Sequence, residues 1–593
     1  MEFIMLKTAF VVLFLICSLF NIFALEPAHK WLWNYYFVHN MPAGLIKSRA
    51  LDGTVVLPDK RVVKAQKFTL PENSSVDLYK VITPRPKVLE RAILTADFCA
   101  EKAGSAVLGI GVDWKFKLYI NGKAVYDTCK YGNGEDVVSV NNHLVEFQYK
   151  KGANQIAVEG FGGNHTFDIA VGLSDRLRAA LKYAPWVSSP APDGATITFA
   201  AIQPTPAGVE YRLQGEKSWK RVYNNLGGMI RRDKAAHSIR LENLLPDKTY
   251  EYRVVLIDEL QRYKEFALPE VYTFKTLPAA GIKRPFRILL TSDLQVTAEK
   301  RKEFMQRILQ SPEAKGIEFF GLLGDVVGVS NFDKSIIEEF VNPFRELSGN
   351  KIPLVMVRGN HEMYGKEAHR YFEYFPAPHA ADKAYYMFRC GDVCFLVLDC
   401  GDNGARNPKY AIRALWDIEP YMELQKKWLA QAVKSDAFRN AKFRVVLAHG
   451  APLGAKGQYL SEKLRKVIDP LFASQDPEYK IHLWLSGHIH RAFRNIPGTD
   501  QCRTVYPVAK FSGEGKHPKI GKNYMFTVIA MGGAFRSLPY EMQLTSLLVD
   551  FCDSFIDVKH RDRNGKVFDH IRITPDGSVQ ELYSADFFKL ESF

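Results

Sequence analysis

Alternating apolar and polar positions mark the first part of the chain as β-structure. Phe116, Leu118 and Ile120 alternate with more polar residues, a period of two that predicts a half-buried strand. Asn121 and Gly122 follow directly and predict a tight hairpin turn, after which the chain returns as a second strand. The same pattern extends over residues 31–173, so we expect an all-β N-terminal domain.

A Pro- and Ser-rich stretch over residues 185–192 predicts a linker after this domain. A second β segment follows over residues 193–278, beginning with a strand at 195–199 and ending with one at 272–276. We therefore expect a second β-sandwich in this part of the chain.

Between residues 286 and 490 the pattern changes to short, continuous apolar runs. Such runs predict strands that are buried on both faces, and there are six of them: 286–292, 319–323, 354–357, 394–398, 444–448 and 482–486. Apolar residues at helical spacing predict helices over 298–310, 334–344 and 421–433. This alternation predicts a layered α/β domain, and the strands of residues 547–573 are expected to complete one of its sheets.

Five of the six runs end in residues that can bind metal ions. These residues are Asp293 and Gln295, Asp325, Asn360 with its neighbour His361, His449, and His488 and His490. The sixth run ends at Asp399. Sites in open α/β sheets form where strands end at their carboxyl edge. The spacing therefore predicts that these residues meet in one shared pocket, with the donor set of a dinuclear metal centre.

The motifs resemble those of a known superfamily. Asp-x-Gln, Gly-Asp, Gly-Asn-His-Glu, a lone His after a strand and Gly-His-x-His occur in the order typical of calcineurin-like metallophosphoesterases, which include the purple acid phosphatases. The resemblance covers about residues 284–535, and about 186–535 with the preceding domain. It implies an α/β four-layer catalytic domain, in which a β-sandwich is flanked by helices.

The resemblance also implies roles for individual residues. Two divalent ions, of Mn, Zn or Fe, would be bridged by Asp325, and the remaining ligands would be Asp293, Gln295 and His490 for one ion and Asn360, His449 and His488 for the other. A metal-bound hydroxide would attack phosphorus while His361 assists the leaving group. Glu362 would orient His361. Arg358 would grip the phosphate, with a structural arginine at a strand end as the alternative.

Two departures from the family pattern change these expectations. Gln295 stands where the family has His or Gly, and a neutral amide oxygen is a weaker ligand than imidazole, so the first ion should be held more loosely. Asp325 is followed by Val326, without the tyrosine that gives purple phosphatases their colour. We therefore expect Mn, Zn or mixed occupancy rather than a purple ferric centre.

Resemblance also assigns the outer parts of the chain. Residues 25–184 resemble the galactose-binding-like jelly rolls of secreted glycosidases, and 186–278 resemble the fibronectin type III-like domain that precedes the catalytic domain in purple acid phosphatases. Residues 536–593 would supply strands that complete the catalytic domain. The jelly roll is a candidate glycan-binding module, and a structural spacer is the alternative.

The charge and composition of the chain limit the classes of partner and protein that fit it. The 593 residues include 79 Lys and Arg against 65 Asp and Glu, a formal charge of +14. This charge suits phosphate esters, nucleic acid or acidic polysaccharide equally, or is simply a solvated surface, so it indicates no specific nucleic-acid partner. At 47% hydrophobic and 24% charged residues, the chain has the composition of a globular protein and no disorder signature.

Residues 1–24 read as a secretory signal peptide. Lys7 is followed by an apolar run over 8–20 and a small-residue cleavage site over 22–24. An uncleaved anchor is the alternative. No later stretch is long and apolar enough to span a membrane, so we expect a secreted or periplasmic protein. Seven cysteines remain after cleavage, which implies at least one free thiol, and Cys99 and Cys129 could pair.

Together these observations predict an exported, acid phosphatase-like metallophosphoesterase. The alternatives of the same fold are a phosphodiesterase and a nucleotide-sugar hydrolase. The alternative from another class is a carbohydrate-binding surface protein whose phosphoesterase domain is vestigial. The presence of Asp325, Asn360 and His361 argues against this last alternative.

Overall fold

A computed structural model describes most of the chain. The described residues are 32–37, 54–56, 60, 62–64, 66–68, 70, 75–81 and 91–592, apart from 135–136, 330, 403, 405, 410–412, 455–460, 475, 506–522 and 535–542. The predicted signal peptide lies outside them. The chain divides into two compact units, Met1–Arg178 with Asp258–Lys264, and Ala179–Ile257 with Glu265–Phe593.

The first unit contains two larger antiparallel sheets and one two-stranded sheet in its described part. Its strands are β1 (Leu32–Phe37), β2 (Thr54–Val56), β3 (Val62–Lys64), β4 (Gln66–Phe68), β5 (Val76–Asp77), β6 (Arg91–Ala100), β7 (Gly104–Val112), β8 (Lys115–Ile120), β9 (Lys123–Asp127), β10 (His143–Tyr149), β11 (Gly152–Phe161) and β12 (Asp168–Ser174). The sheet orders are β4-β1-β6-β11-β8-β9 and β10-β7-β12-β5, and β2 pairs with β3. One short helix, α1, covers Leu78–Val81.

Both larger sheets of the first unit contribute to a single hydrophobic core. Leu118 and Val158 of the first sheet belong to the same buried cluster as Ile110 and Val171 of the second. The predicted hairpin is confirmed, because β8 and β9 pair around Asn121 and Gly122, whose φ angles are 49° and 80°. An Asn-Gly turn is favoured there because both positions need positive φ.

The second unit begins at Ala179, shortly before the predicted linker of residues 185–192. Its first ten strands are β13 (Leu181–Ser188), β14 (Ala195–Ala201), β15 (Ala207–Leu213), β16 (Lys220–Tyr223), β17 (Asn225–Leu226), β18 (Met229–Ile230), β19 (Ala236–Leu241), β20 (Thr249–Asp258), β21 (Lys264–Ala267) and β22 (Tyr272–Lys275). The linker prediction is wrong, because β13 occupies residues 181–188. Trp186 is 1% exposed and stacks on Tyr374 at 6.0 Å between ring centroids, so apolar burial overrides the Pro and Ser signal.

The six strands predicted from apolar runs are confirmed to within one residue at either end. The strands of this region are β23 (Phe286–Thr291), β24 (Phe319–Leu322), β25 (Leu354–Met356), β26 (Tyr386–Cys390), β27 (Val393–Leu398), β28 (Phe443–Ala448), β29 (Leu483–Ser486), β30 (Phe493–Asn495), β31 (Gln501–Val505), β32 (Thr527–Ala530), β33 (Ser546–Phe551), β34 (Ile556–Arg561), β35 (Val567–Ile573), β36 (Val579–Ser584) and β37 (Phe588–Ser592).

Three main sheets organise the described part of the second unit. A ten-stranded sheet has the order β19-β14-β13-β25-β24-β23-β33-β34-β35-β36, and an eight-stranded sheet has the order β26-β27-β28-β29-β32-β30-β31-β37. A smaller sheet has the order β16-β15-β20-β21, with β22 also paired to β20. Strands β23, β24 and β25 are parallel, as are β27, β28, β29 and β32. The last strands of the chain extend both large sheets.

Helices follow several of these strands. They are α2 (Ala298–Leu309), α3 (Asn342–Leu347), α4 (Tyr371–Tyr374), α5 (Ile418–Ala432), α6 (Asp436–Arg439) and α7 (Glu462–Phe472), with a π-helix at Phe332–Val341 and 3₁₀ turns at Glu259–Gln261, Pro312–Ala314, His361–Met363, Ala368–Arg370 and Pro477–Tyr479. The predicted helices over 298–310 and 421–433 are confirmed as α2 and α5. The predicted helix over 334–344 is divided between the π-helix and α3.

Alternate residues of the large sheets face different cores. Leu290 and Leu447, from the two sheets, share a core with Phe395. The preceding residue in each strand faces the other way: Leu289 packs in a cluster with α2 and the π-helix, and Val446 packs in one with α5 and α7. This period of two places apolar side chains on both faces of each sheet, as the continuous apolar runs predict.

These sheets confirm the coarse part of the predicted fold class, a multidomain chain that is rich in β-structure. The seven described cysteines have free thiols, including Cys99 and Cys129. Within the described residues, no helix is both long enough and apolar enough to cross a membrane.

Candidate metal centre

The structure brings the seven predicted ligands together at the carboxyl ends of strands. Their positions are Asp293 and Gln295 after β23, Asp325 after β24, Asn360 after β25, His449 after β28, and His488 and His490 after β29. The first four residues follow strands of the ten-stranded sheet and the histidines follow strands of the eight-stranded sheet. The shared pocket predicted from the sequence is thus formed by the strand ends of both sheets.

One group of donor atoms surrounds Asp325. One donor atom each of Asp325, His449 and His488 lies within 4.8 Å of the other two. His449 Nε2 lies 3.2 Å from Asp325 Oδ2 and 3.2 Å from Asn360 Oδ1, and His488 Nδ1 lies 3.0 Å from the same amide oxygen. Atoms that bear lone pairs repel one another at such distances unless a proton or a cation lies between them, so this group is suited to hold a cation.

A second group shares Asp325. Donor atoms of Asp293, Asp325 and His490 also lie within 4.8 Å of one another, and His490 Nε2 is 3.3 Å from Asp293 Oδ1. This Oδ1 is buried and accepts no hydrogen bond from the described residues, which is costly for a carboxylate unless a cation is its partner. Gln295 donates its Nε2–H to Asp325 Oδ2 over 3.1 Å, so its amide presents a donor to Asp325.

Four of these residues have a left-handed backbone. The φ angle is 55° at Asp293, 58° at Asp325, 71° at His488 and 53° at His490. Asp and His adopt this region more often than most residues other than glycine, and such conformations persist where the surrounding structure fixes them. A Cβ atom on Gly487 would lie 2.2 Å from Asp293 Oδ2, so a glycine is required where the backbone passes this carboxylate.

Backbone carbonyl groups orient two of the imidazoles. His449 Nδ1 lies 2.7 Å from the Leu323 carbonyl oxygen, and His490 Nδ1 lies 2.9 Å from that of Ala534. Because a carbonyl oxygen can only accept, each Nδ1 carries a proton and each Nε2 faces the carboxylates. Metal-binding histidines are commonly held in this way.

The carboxylates and imidazoles of the site shift one another's pKa values. Burial raises the pKa of Asp325, but the nearby charge of His449 and the hydrogen bond to it lower that pKa below its ordinary value. Burial lowers the pKa of His449, yet the Asp325 carboxylate raises it to about 10. Burial, reinforced by the charge of His449, lowers the pKa of His488 to about 3, while burial raises the pKa of Asp293. A proton on His449 therefore balances the charge of the Asp325 carboxylate, and a cation that binds there must displace that proton.

His361 lies beside the two donor groups. Its backbone N–H donates to Asp325 Oδ1 over 3.0 Å, and its Nε2 lies 3.8 Å from Asp325 Oδ2. Its Nδ1 contacts the carbonyl oxygen of Gly328, and its ring packs on Tyr364 at 4.6 Å. The side chain is 28% exposed, so the imidazole lies where the site opens to solvent.

Glu362 contacts the backbone of the site. Its buried carboxylate accepts hydrogen bonds from the N–H groups of Gly359, Asp325 and Val326, at 2.8, 2.8 and 2.9 Å. The sequence interpretation has Glu362 orienting His361, whereas these contacts fix the loop that carries Asp325. Glu362 is therefore a positioning residue for Asp325.

Arg358 forms a buried ion pair with Asp399. Its Nε donates to Asp399 Oδ2 over 2.8 Å, and the guanidinium lies 5.1 Å from the Phe372 ring centre and 5.2 Å from that of Tyr421. Asp399 is fully buried and also accepts from the Tyr421 hydroxyl at 2.9 Å. These contacts favour the structural alternative over the phosphate-gripping one.

Sequence reasoning assigns no role to Tyr364 or Asp402, although both join the site. The Tyr364 hydroxyl donates to Asp402 Oδ2 over 2.6 Å and accepts from Asn360 Nδ2 over 3.2 Å. Tyr364 is four residues after Asn360, a spacing that one turn brings into contact. The partner Asp402 comes from a different strand end, and no local signal indicates that pairing.

The donor set matches divalent metal ions of intermediate softness. Carboxylate, imidazole and amide oxygen ligands together suit Zn, Mn or Fe. The buried Asp293 Oδ1 and the converging lone pairs around Asp325 fit such an ion independently of any family resemblance. The residues present therefore fit a divalent metal site.

Comparisons with known proteins agree with this geometry. Residues 286–492 match the family model of the calcineurin-like phosphoesterases. Purple acid phosphatase 15 of Arabidopsis thaliana is 26% identical over 192 residues, which is 27% of this chain and 34% of that protein. The chain thus spans about a third of the length of this curated relative.

Two solved structures match large parts of the chain at low TM-scores. The match to purple acid phosphatase PPD1 from yellow lupin (Lupinus luteus) seeds covers 82% of this chain and 93% of the lupin chain, at 16% identity and a TM-score of 0.46. The match to PhoD covers 68% of this chain and 92% of the PhoD chain, at 11% identity and a TM-score of 0.43. Both TM-scores are below 0.5, so the family assignment rests on the sequence matches.

The matched segment contains every one of the seven predicted ligands together with His361. The predicted resemblance to the calcineurin-like metallophosphoesterases is therefore confirmed for this segment. Residues 286–492 form a calcineurin-like phosphoesterase domain.

Proposed function

We propose that this protein is an exported, acid phosphatase-like, metal-dependent phosphoesterase that hydrolyses phosphate esters. The observation that carries the proposal is the pair of donor groups that share Asp325. A carboxylate common to two groups is what a dinuclear centre needs. The buried Asp293 Oδ1, which accepts no hydrogen bond within the described chain, supports a cation in the second group.

Two divalent ions of the Mn, Zn or Fe type, when bound, would supply a nucleophile at neutral pH and positive charge against the phosphoryl oxygens. The protein's own part is to hold and separate the ions. Asn360, His449 and His488 would bind on one side of Asp325, and Asp293 and His490 on the other. Gln295 would join the second side by rotating its amide so that the oxygen faces the ion.

His361 is the proposed proton donor. Its Nδ1 contacts a carbonyl oxygen, which fixes the ring, and its Nε2 lies 3.8 Å from Asp325 Oδ2. A proton on Nε2 would be transferred to the leaving ester oxygen, and the 28% exposure of the side chain leaves room for a leaving group.

The remaining parts of the proposal rest on sequence patterns. Export to a secreted or periplasmic location is supported by the leader-like residues 1–24. The galactose-binding-like assignment of residues 25–184, the fibronectin type III-like assignment of 186–278 and the four-layer catalytic domain of 284–535 are proposed from resemblance. Binding of a glycan by the N-terminal sandwich stays a prediction, and the phosphodiesterase and nucleotide-sugar hydrolase alternatives stay open.

The test is turnover of p-nitrophenyl phosphate and bis(p-nitrophenyl) phosphate by the full chain after loading with Mn or Zn. Asp325→Asn should abolish turnover because it removes the shared carboxylate, and His361→Ala should reduce kcat by about 100-fold or more, as expected for loss of a proton donor. His379→Ala is the matched control, since His379 is 78% exposed.

Faster hydrolysis of the monoester would support the phosphatase, and faster hydrolysis of the diester would favour the phosphodiesterase alternative. Absence of turnover with either ester, in protein shown to contain bound metal, would contradict the proposal. Glycan binding in the same preparation would then favour the carbohydrate-binding alternative.

A further inference from the structure

The hydroxyl of Tyr364 lies between Asn360 and a carboxylate. It accepts a hydrogen bond from Asn360 Nδ2 at 3.2 Å and donates one to Asp402 Oδ2 at 2.6 Å. Asp402 is itself held, because its Oδ1 accepts from the Gly404 N–H at 2.5 Å and lies 3.8 Å from the Arg413 guanidinium. Its side chain is 9% exposed, so this chain of contacts is shielded from solvent.

The two ends of an asparagine side chain have almost the same shape but opposite hydrogen-bonding character. In the structure, Asn360 Oδ1 faces His449 Nε2 at 3.2 Å and His488 Nδ1 at 3.0 Å. A 180° rotation of the amide would replace this oxygen by an NH₂ group. An NH₂ group has no lone pair for a cation, so the rotated amide would remove one ligand from the group.

The contacts of Tyr364 decide between these two orientations. Asp402 can only accept when ionised, so the phenol proton must point toward Asp402. The phenol oxygen then has only lone pairs to offer Asn360, which requires the NH₂ end of the amide on that side. The Oδ1 end is consequently directed at His449 and His488.

We propose that Tyr364 and Asp402 are positioning residues that fix the amide oxygen of Asn360 toward the metal site. This inference rests on the proposed function, in that it requires an ion between Asn360, His449 and His488. The network acts through Asn360, because the Tyr364 hydroxyl contacts the Asn360 amide and the Asp402 carboxylate. Its removal should therefore weaken one of two metal sites and leave the site containing Asp293 and His490 unchanged.

The test is calorimetric titration of the metal-free full chain with Mn²⁺, which needs no turnover. Tyr364→Phe removes the hydroxyl and keeps the ring that packs on His361 and Trp416. We expect the affinity of one site to fall about 10- to 100-fold, the range for loss of groups that orient metal ligands, and the other site to keep its affinity. Asp402→Ala should give the same selective loss.

Tyr524→Phe is the matched control. The Tyr524 hydroxyl also donates to a carboxylate, Asp469 Oδ1, at 2.5 Å, and it lies in a buried cluster with α5 and α7 outside the metal site. Tyr524→Phe should leave both Mn²⁺ affinities unchanged, although it removes one phenol–carboxylate hydrogen bond, as Tyr364→Phe does. Wild-type affinity at both sites in Tyr364→Phe would overturn the inference. Absence of Mn²⁺ binding in the wild-type chain would instead overturn the proposed function, so the two failures are distinguishable.

Discussion

At the scale of single residues, the site depends on a carboxylate that binds no ion. Glu362 is fully buried and accepts three backbone hydrogen bonds, from Gly359, Asp325 and Val326. Burial, with the nearby charge of Asp325, raises the pKa of Glu362, and the backbone N–H donors offset part of the cost of burying its charge. A Cβ on Gly359 would lie 2.7 Å from Glu362 Oε2, and glycine is required at that position for this close approach.

We predict that Glu362→Gln destabilises the protein and disorders the Asp325 loop. The Gln NH₂ group would face backbone donors, leaving at least one of them without an acceptor, at a cost of about 2–3 kcal/mol. Urea unfolding followed by tryptophan fluorescence measures this loss. Glu346→Gln is the control, because the Glu346 side chain is 60% exposed. Unchanged stability together with a reduced kcat would instead support a catalytic role for Glu362.

At the scale of elements, the end of β27 holds the loop after β25 from both sides. Asp399 follows β27 directly and binds Arg358, and Asp402 lies three residues further on and binds Tyr364. Arg358 and Tyr364 flank the segment that carries Asn360 and His361. The end of β27, which supplies no predicted metal ligand, thus fixes the loop after β25, which carries the predicted ligand Asn360.

We predict that Arg358→Met acts on stability. It would leave Asp399 buried without its cationic partner, which typically costs about 3–5 kcal/mol. The double variant Arg358→Met/Asp399→Asn removes both charges and should recover part of that loss. Arg307→Met, at a pair whose side chains are 45% and 59% exposed, should cost less than about 1 kcal/mol.

These differences are measured by urea unfolding, with KM for p-nitrophenyl phosphate determined in parallel. A phosphate-gripping Arg358 would instead raise KM at unchanged stability, and the double variant would then recover nothing.

The strand ends could be predicted from sequence because their signals are local. A buried run of four to six apolar residues followed by Asp325 or His449 contains both the strand and its candidate ligand. The pairings of Arg358 with Asp399 and of Tyr364 with Asp402 join residues 41 and 38 positions apart. No periodicity encodes such contacts, and the sequence therefore left the role of Arg358 open and assigned none to Tyr364.

At the scale of the whole molecule, the sequence separated parts that the structure joins. The sequence predicts a linker over residues 185–192, yet residues 185–188 belong to β13, and the pairing of Ser188 with Leu354 of β25 makes β13 part of the ten-stranded sheet. Pro185 and Pro192 suggest a break when read locally, but Trp186 and Val187 are buried to 1% and 2% exposure. Burial in the tertiary structure decides whether such a segment forms a strand or a linker, and local composition alone does not reveal that burial.

The same unit contains three deeply buried histidines outside the metal site. Burial lowers the pKa of His237 and of His482 to about 4, and that of His560 to about 3. The pKa of an unfolded histidine is about 6.5. Between that value and the folded pKa, the unfolded chain binds more protons than the folded one, so the stability of this unit should fall as the pH falls from about 6.5 toward 4.

His482 offers a direct measurement of this effect. Its Nδ1 accepts from the Arg444 N–H at 3.1 Å, and its Nε2 donates to the Pro575 carbonyl at 2.9 Å, so protonation would remove the acceptor that Arg444 needs. Linkage gives a loss of about 2 kcal/mol from this group between pH 7.5 and pH 5. His482→Asn retains an acceptor near the position of Nδ1 but cannot titrate. It should therefore lose about 2 kcal/mol less than the wild type over that range in urea unfolding, while His165→Asn, at an exposed histidine, should follow the wild type. Equal losses in all three proteins would show that His482 does not remain neutral in the folded chain, and the acid sensitivity would then have to come from other groups.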